Sequence, residues 1–257
     1  MIYDKLPVVL LSTMAAEKST STNHTIAAYI LTRRAEIADM GIQQLAEACY
    51  VGTGSISRFV RDIGLSGFNE LRTLIAETDF SLDPAWTEES VRKRRGLLTS
   101  YIADSLVRME QSVDQTQLEK LCNDIHSYEN VYAFGMLKAE SAAVSLQTDL
   151  MMMSKPVLTS AAFKEQIDTI VHAGKDDLII IFSYTGSYFS AHSFRQNEKH
   201  LLLPKIWMIC GNGQKAPWYV DEVLSFASDG RREAHPFLLE MAASLIIQQY
   251  ACQFKNE

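Results

Sequence analysis

The chain is poor in the residues and patterns that mark several common classes. Its cysteines, Cys49, Cys122, Cys210 and Cys252, are widely scattered, with no C-x-x-C pair and no metal-ligand spacing. They read as reduced core thiols of a cytoplasmic protein. His126, His172, His192, His200 and His235 show no H-x-x-x-H pair, so nothing suggests a metal centre. Neither Ser183 nor Ser187 sits in a G-x-S-x-G elbow, which argues against a hydrolase. No apolar stretch approaches the ~18 residues of a membrane span. The apolar run Leu6–Leu11 is short, and Asp4 offsets Lys5 beside it, so it does not make a signal peptide. No repeat or low-complexity tract occurs. Positive charge is also scarce. The net charge is −7, and residues 1–79 carry seven Lys/Arg against nine Asp/Glu.

What is present is an ordinary globular composition, 257 residues at 47% hydrophobic and 21% charged, enough for one large or two smaller domains. Residues 22–40 place Ile26, Tyr29, Ile30, Ile37 and Met40 at helical spacing. Thr22 or Asn23 is the expected cap, with a break near Thr32. From Ile42 to Cys49 an i, i+3, i+4, i+7 stripe predicts a short amphipathic helix. Tyr50-Val51-Gly52 makes a turn. The next helix buries Ile56, Phe59, Val60 and Ile63, and leaves Ser55, Ser57, Arg58, Arg61 and Asp62 mostly outward. Gly64 suits a left-handed helix end. Phe68 and Leu71 begin a further helix.

Two short helices joined by a tight turn, with hydroxyls and cations on the second, are suited to phosphates and base edges in a DNA major groove. Within residues 53–61 the charged side chains are Arg58 and Arg61, both positive. So few cations per copy favour binding as a dimer, where two half-sites add their contacts.

Residues 78–90 hold acids, turn formers and Pro84, and read as a linker. A helical stretch follows, opening with Arg92, Lys93, Arg94 and Arg95. That cluster reads as a solvated face more readily than as an extra phosphate contact. From about residue 115 strands and helices alternate. Apolar strands are expected at NVYAFG, KPVLTS, DDLIIIFS and KIWMICGN, with a short last strand at EVLSFA. Helices are expected over QLEKLCNDIHSY, MLKAESAAVSLQTDLMMM, AAFKEQIDTIVHAG and REAHPFLLEMAASLIIQQYACQF. The segment YTGSYFSAHSFRQNEKHLL reads as a loop running into a helix. This order implies a parallel sheet covered on both faces, which binds ligands at the carboxyl ends of its strands.

The segment GTGSISRFVRDIGLSGFNELR resembles the recognition region of the RpiR/MurR family of bacterial sugar-responsive transcription regulators. The strongest part is Ser55-Ile56-Ser57-Arg58-Phe59, followed by Ile63-Gly64 and Gly67-Phe68. The resemblance implies that Ser55, Ser57 and Arg58 meet DNA while Ile56 and Phe59 pack the helix. Thr53 and Arg61 complete the expected DNA-contacting set. Gly52 stands where the family commonly has a serine cap, and Gly54 lowers helicity in the first turn.

The C-terminal region resembles the sugar isomerase (SIS) domain that usually accompanies this family. LIIIFSYTGSYFS is similar to a strand and phosphate loop written S-x-S-G-E-T, matching at Ser183, Thr185 and Gly186, with Tyr188 at the threonine. Hydroxyls plus backbone N–H groups make a phosphate nest there. GMLKAESAA aligns with the family's G-x-G-x-S, placing Leu137 at the second glycine and Ala139 at the serine. Cys210 stands where many SIS domains have threonine. The implied effector contacts are Gly135, Lys138, Ser183, Thr185, Gly186 and Ser187. Glu233 and His235 lie roughly where SIS isomerases can place acid–base residues, but read as helix-start polar groups. Met151, Met152 and Met153 read as core or interface filling.

The expected architecture is α + α/β: a helix-turn-helix domain at 1–79, a linker and connecting helix at 80–110, and a SIS-like domain at 111–257. The expected function is a cytoplasmic DNA-binding regulator of sugar metabolism. Its expected partners are operator DNA, a phosphorylated-sugar effector and further copies of itself, as a homodimer or homotetramer. No cofactor, metal, catalytic residue or membrane partner is expected. The rivals are a sugar-phosphate isomerase, and a regulator whose degenerate SIS domain only dimerises or binds a protein.

Overall fold

The computed structural model describes residues 6–78, 85–191, 204–211 and 216–254. Two compact units emerge. One comprises Met1–Ser81, Ser160–Asp168 and Phe189–Gln196; the other comprises Leu82–Thr159, Thr169–Tyr188 and Asn197–Glu257.

The first unit is helical. It contains α1 (Leu6–Ala16), α2 (Thr22–Ile37), α3 (Ile42–Ala48), α4 (Thr53–Asp62) and α5 (Phe68–Glu77). The apolar run near the N-terminus is α1, and it buries Leu6, Val9 and Leu10. The cap of α2 is Ser21, one residue ahead of the expected Thr22: its Oγ accepts the His24 N–H at 3.1 Å. Thr22 is instead the first helical residue. The expected break near Thr32 appears at Arg33, whose φ −124°, ψ 25° interrupts the helix. Ile26, Ile30, Leu45, Ile56, Phe59 and Leu71 have no exposure and form the centre of this unit. Residues 160–168 join it, with the Ser12 hydroxyl donating to the Ala161 carbonyl at 3.4 Å.

In the second unit the four strands β1 (Asn130–Phe134), β2 (Asp177–Phe182), β3 (Lys205–Gly211) and β4 (Glu222–Phe226) form an all-parallel sheet in sequence order. The register pairs Phe134 with Ile181 and Phe182 with Ile209, so the carboxyl ends of β1, β2 and β3 lie side by side. β2 and β3 are buried along almost their whole length, as their continuous apolar runs require. The sheet is accompanied by α6 (Val91–Glu110), α7 (Gln115–Ser127), α8 (Lys138–Met152) and α10 (His235–Phe254). α8 packs on α10 and β1, and α7 packs on α10 and β4. Between α8 and β2 comes α9 (Phe163–His172).

Two expected elements change. KPVLTS is not a strand of the sheet. It makes a single parallel bridge, Tyr132 with Leu158, through Leu158 N–H to Val131 O and Ala133 N–H to Leu158 O, both 2.9 Å. Pro156 has no N–H to extend the ladder. α10 begins at His235 rather than Arg232, with Pro236 in its first turn, where a missing N–H costs nothing. After β2 the loop reaches a short 3-10 turn at Tyr188–Ala191. The helix expected beyond it, with His192 and His200, lies outside the described residues, as does most of the turn after Gly211.

Candidate functional sites

The first site is the α3–turn–α4 unit. α3 starts at Gly41, whose N–H donates to Gln44 Oε1 at 2.7 Å. The turn closes with the Val51 N–H on Ala46 O at 2.9 Å. Tyr50, at φ 55°, is 96% exposed. The sequence placed Tyr50 only as a turn residue; a bulky residue in the left-handed region is unusual and costs about 1–2 kcal/mol. α4 buries Ile56, Phe59 and Val60, and ends as expected at Gly64, φ 86°. There the Leu65 N–H reaches back to Val60 O at 3.0 Å and the buried Leu65 side chain seals the end.

Packing therefore fixes which face α4 presents. Thr53, Arg58 and Arg61 are exposed, and Ser55 and Ser57 are half-buried. Among the described residues none of these five side chains makes a hydrogen bond or ion pair within the chain. Gly52 caps α4 without a side chain. A Cβ placed at Gly52 or Gly54 would meet nothing within 4 Å, so no neighbour in the chain requires glycine there.

The second site is at the carboxyl end of β2. Ser183 is buried, and its N–H continues the sheet to Ile209 O at 3.0 Å. Its Oγ accepts the Tyr188 N–H at 3.1 Å, so this hydroxyl is turned inward to hold the loop. Gly186, φ 64°, turns the chain, with its N–H on Ser183 O at 2.7 Å. Thr185 is exposed, Ser187 is half-buried, and their hydroxyls share a hydrogen bond. Tyr188, at the position resembling a threonine, is buried, which pushes its phenol well above the usual range. Cys210, at the end of β3, is likewise buried and its thiol rises to about 11.

The adjoining end of β1 separates two expectations. Gly135 is closely packed: a Cβ there would lie 2.5 Å from the carbonyl carbon and oxygen of Ala139 and 2.9 Å from Glu140 N. Leu137, at φ 53°, ψ −111°, adopts a glycine-type conformation although it is leucine. Lys138, the first residue of α8, is exposed.

The sequence had set His235 aside as a helix-start residue. In the fold its ring lies 3.4 Å from the Tyr184 ring, centroid to centroid, and Nε2 is 3.4 Å from Gly230 O. Burial first, then the charge of Lys138, lowers His235 to about 4, against the opposing Gly230 carbonyl, Glu233 and Asp229. The imidazole is thus neutral at neutral pH. Tyr184 in turn accepts the Gly211 N–H on its carbonyl at 3.0 Å. Among the described residues no group of three or more His, Cys, Asp or Glu could hold a metal ion. Nor is any described helix long and apolar enough to cross a membrane.

Comparison with known proteins adds the following. Residues 10–81 match the family model described as helix-turn-helix domain, rpiR family. The HTH-type transcriptional regulator HexR of Pseudomonas aeruginosa is 24% identical over 190 residues, covering 69% of this chain and 65% of that protein. An uncharacterised HTH-type transcriptional regulator of Caldanaerobacter subterraneus is 25% identical over 183 residues, covering 65% of this chain and 61% of its own length. The chain thus spans a little under two thirds of the length of the curated relatives it matches. Among solved structures, Vibrio vulnificus NanR complexed with ManNAc-6P matches at TM-score 0.54 and 16% identity, covering 97% of this chain and 93% of that one. A Listeria monocytogenes protein described as a putative sugar-phosphate isomerase matches at TM-score 0.51 and 11% identity, covering 66% and 94%. These two likenesses establish the fold.

Proposed function

We propose that this chain, which joins an RpiR-family helix-turn-helix region to a SIS-like α/β domain, is a DNA-binding transcription regulator that answers to a phosphorylated sugar. The observation that carries the DNA half is the outward face of α4. Thr53, Ser55, Ser57, Arg58 and Arg61 are all unengaged within the described chain, while Ile56, Phe59 and Val60 hold the helix rigidly beneath them. Short hydroxyls and two cations on a helix held this way suit base edges and phosphates. Two cations per copy supply little affinity alone, so operator binding belongs to a homodimer or homotetramer. The named regulators among the relatives support the same reading.

The sensing half rests on the loop after β2, where Thr185, Gly186 and Ser187 turn at the carboxyl ends of parallel strands. That the NanR structure carries ManNAc-6P supports a sugar phosphate as the ligand class. The relatives named as transcriptional regulators favour a sensor over an isomerase.

A second reading is favoured by one specific observation. The Ser183 hydroxyl already accepts the Tyr188 N–H, and Tyr188, where the resembled loop has a threonine, is buried and offers no exposed hydroxyl. A domain altered in this way would dimerise or bind a protein without taking a ligand. The two readings part on whether phosphate is bound at residues 183–188.

The test of the DNA assignment is Arg58→Ala. On a duplex that the wild type selects from a random-sequence pool, affinity at fixed salt is expected to fall about tenfold, with the helical signal unchanged. Equal affinity of the two proteins would overturn it.

A further inference from the structure

The segment 227–234, between β4 and α10, is fastened on two sides. On one side it meets the loop after β2. The His235 ring, next along the chain, lies tilted against Tyr184 at 3.4 Å between centroids, and its Nε2 lies 3.4 Å from Gly230 O. Gly211, which holds the Tyr184 carbonyl through its N–H, approaches Ser228 so closely that a Cβ would lie 2.6 Å from Ser228 Oγ. On the other side the segment grips α6 and, at Ser112, the turn just after it. The Tyr101 hydroxyl donates to Asp229 Oδ1 at 2.5 Å, Arg108 pairs with Asp229 Oδ2 at 3.8 Å, and the Ala227 N–H donates to Ser112 Oγ at 2.7 Å. The Arg231 guanidinium stands 5.4 Å over the Tyr101 ring, whose other neighbour is Trp86, at 5.5 Å between centroids.

Beside these fastenings α6 has modest apolar anchorage, chiefly Met109 with Tyr101 and Leu106 against the core. Of its 20 residues only Ser105 and Met109 are buried, and Val91, Leu98 and Val107 are exposed. Its N-terminal half has little apolar anchorage, and along the chain it leads back to the helix-turn-helix region. Asp229 and Tyr101 join residues 128 positions apart, so their bond reports tertiary structure alone. Although burial opposes it, the Tyr101 hydroxyl, the Arg231 N–H and the Arg108 charge hold the Asp229 carboxyl below its usual range, so it is charged at neutral pH.

We propose that the Asp229–Tyr101 pair is a latch: the 227–234 segment transmits occupancy of the phosphate loop at Tyr184 to the connecting helix α6. The proposal rests on the sugar-phosphate reading of that loop. An anion seated on Thr185–Ser187 displaces the Tyr184 backbone or ring, His235 and Gly230 follow, and Asp229 changes its hold on Tyr101. The hydrogen bond to a charged acceptor is strong enough to bias a two-state element about tenfold. Tyr101 and Asp229 are coupling residues and need not touch the ligand.

Hydrogen–deuterium exchange on the full chain, with and without inorganic phosphate, tests this. In the wild type, phosphate is expected to slow exchange at 183–188 and also to change it in the segment 97–110. In Tyr101→Phe, which keeps the ring between Trp86 and Arg231, protection at 183–188 is expected to persist while the α6 response drops about fivefold or more. Asp229→Ala removes the acceptor instead and is expected to behave alike, so misfolding of one variant leaves the other to decide. A merely structural role would raise α6 exchange equally in both states and leave the phosphate response intact, which overturns the latch. Protection at 183–188 in the wild type without any α6 response also overturns it, and leaves the sugar-phosphate reading standing. No protection at 183–188 overturns that reading, and the latch with it.

Discussion

Replacing Gly135 by alanine tests the packing constraint at the end of β1. The added Cβ would lie 2.5 Å from both the carbonyl carbon and the oxygen of Ala139, and 2.9 Å from Glu140 N. Non-bonded carbon contacts settle at about 3.5–4.0 Å, so roughly 1 Å must be opened against main-chain atoms. Those atoms belong to the first turn of α8, which cannot swing aside as a flexible side chain would. Ala142, Ala143, Leu146 and Leu150 hold that helix in the core. Moving it away from β1 is overpacking of the severe kind, and the expected cost is about 3 kcal/mol. For a protein of this size that corresponds to a fall of about 6–12 °C in melting temperature. Thermal unfolding followed by circular dichroism measures it directly. A fall of less than about 2 °C would refute the steric argument.

Gly54→Ala is the opposite case, because its Cβ would project into open space in the first turn of α4. Alanine there is expected to raise stability by up to about 1 kcal/mol and to leave DNA binding unweakened; a lowered melting temperature contradicts the open-surface assignment. His235 gives a pH prediction. Its folded-state value of about 4 lies below the unfolded 6.5, so the unfolded chain binds the proton first as pH falls. The stability tied to it is complete above about pH 6.5 and is lost progressively down to about pH 4. His235→Gln should flatten this part of the urea-midpoint profile, and a profile identical to the wild type would sink the assignment.

What the residues disclosed in advance follows from periodicity. The 3.6-residue stripe of Ile56, Phe59, Val60 and Ile63 leaves no freedom about which face of α4 is outward, so that face was readable side chain by side chain. Runs such as DLIIIF announce a doubly covered strand for the same reason. Apolarity does not count hydrogen-bond partners, however, which is why KPVLTS looked like a strand and forms one bridge. The role of Ser183 was hidden for another reason. Its hydroxyl is directed by where Tyr188 N arrives, and that depends on Gly186 turning the chain. The Asp229–Tyr101 contact leaves no local pattern whatever, since its partners meet only through the tertiary fold.

Leu137 sharpens what the altered loops mean. It stands where the resembled family has glycine, and its φ 53°, ψ −111° is a glycine-type geometry. A leucine held there stores about 1–3 kcal/mol of strain, which persists only because the surroundings over-determine the backbone. The surroundings are identifiable: Gly135 lets α8 close onto β1, and Glu140 N–H bonds Leu137 O at 3.0 Å to start the helix. The loop thus follows a glycine-type path with a leucine side chain projecting from it. After β2, Gly186 makes the turn while Ser183 and Tyr188 are both buried, with the Tyr188 N–H donating to Ser183 Oγ. A ligand at this end of the sheet would be held by the loop backbone and the Thr185 and Ser187 hydroxyls, with Lys138 as the nearby cation. Selectivity would then arise from the bulk of Leu137 and the aromatic wall of Tyr184 and His235, and not from a full ring of phosphate-binding hydroxyls.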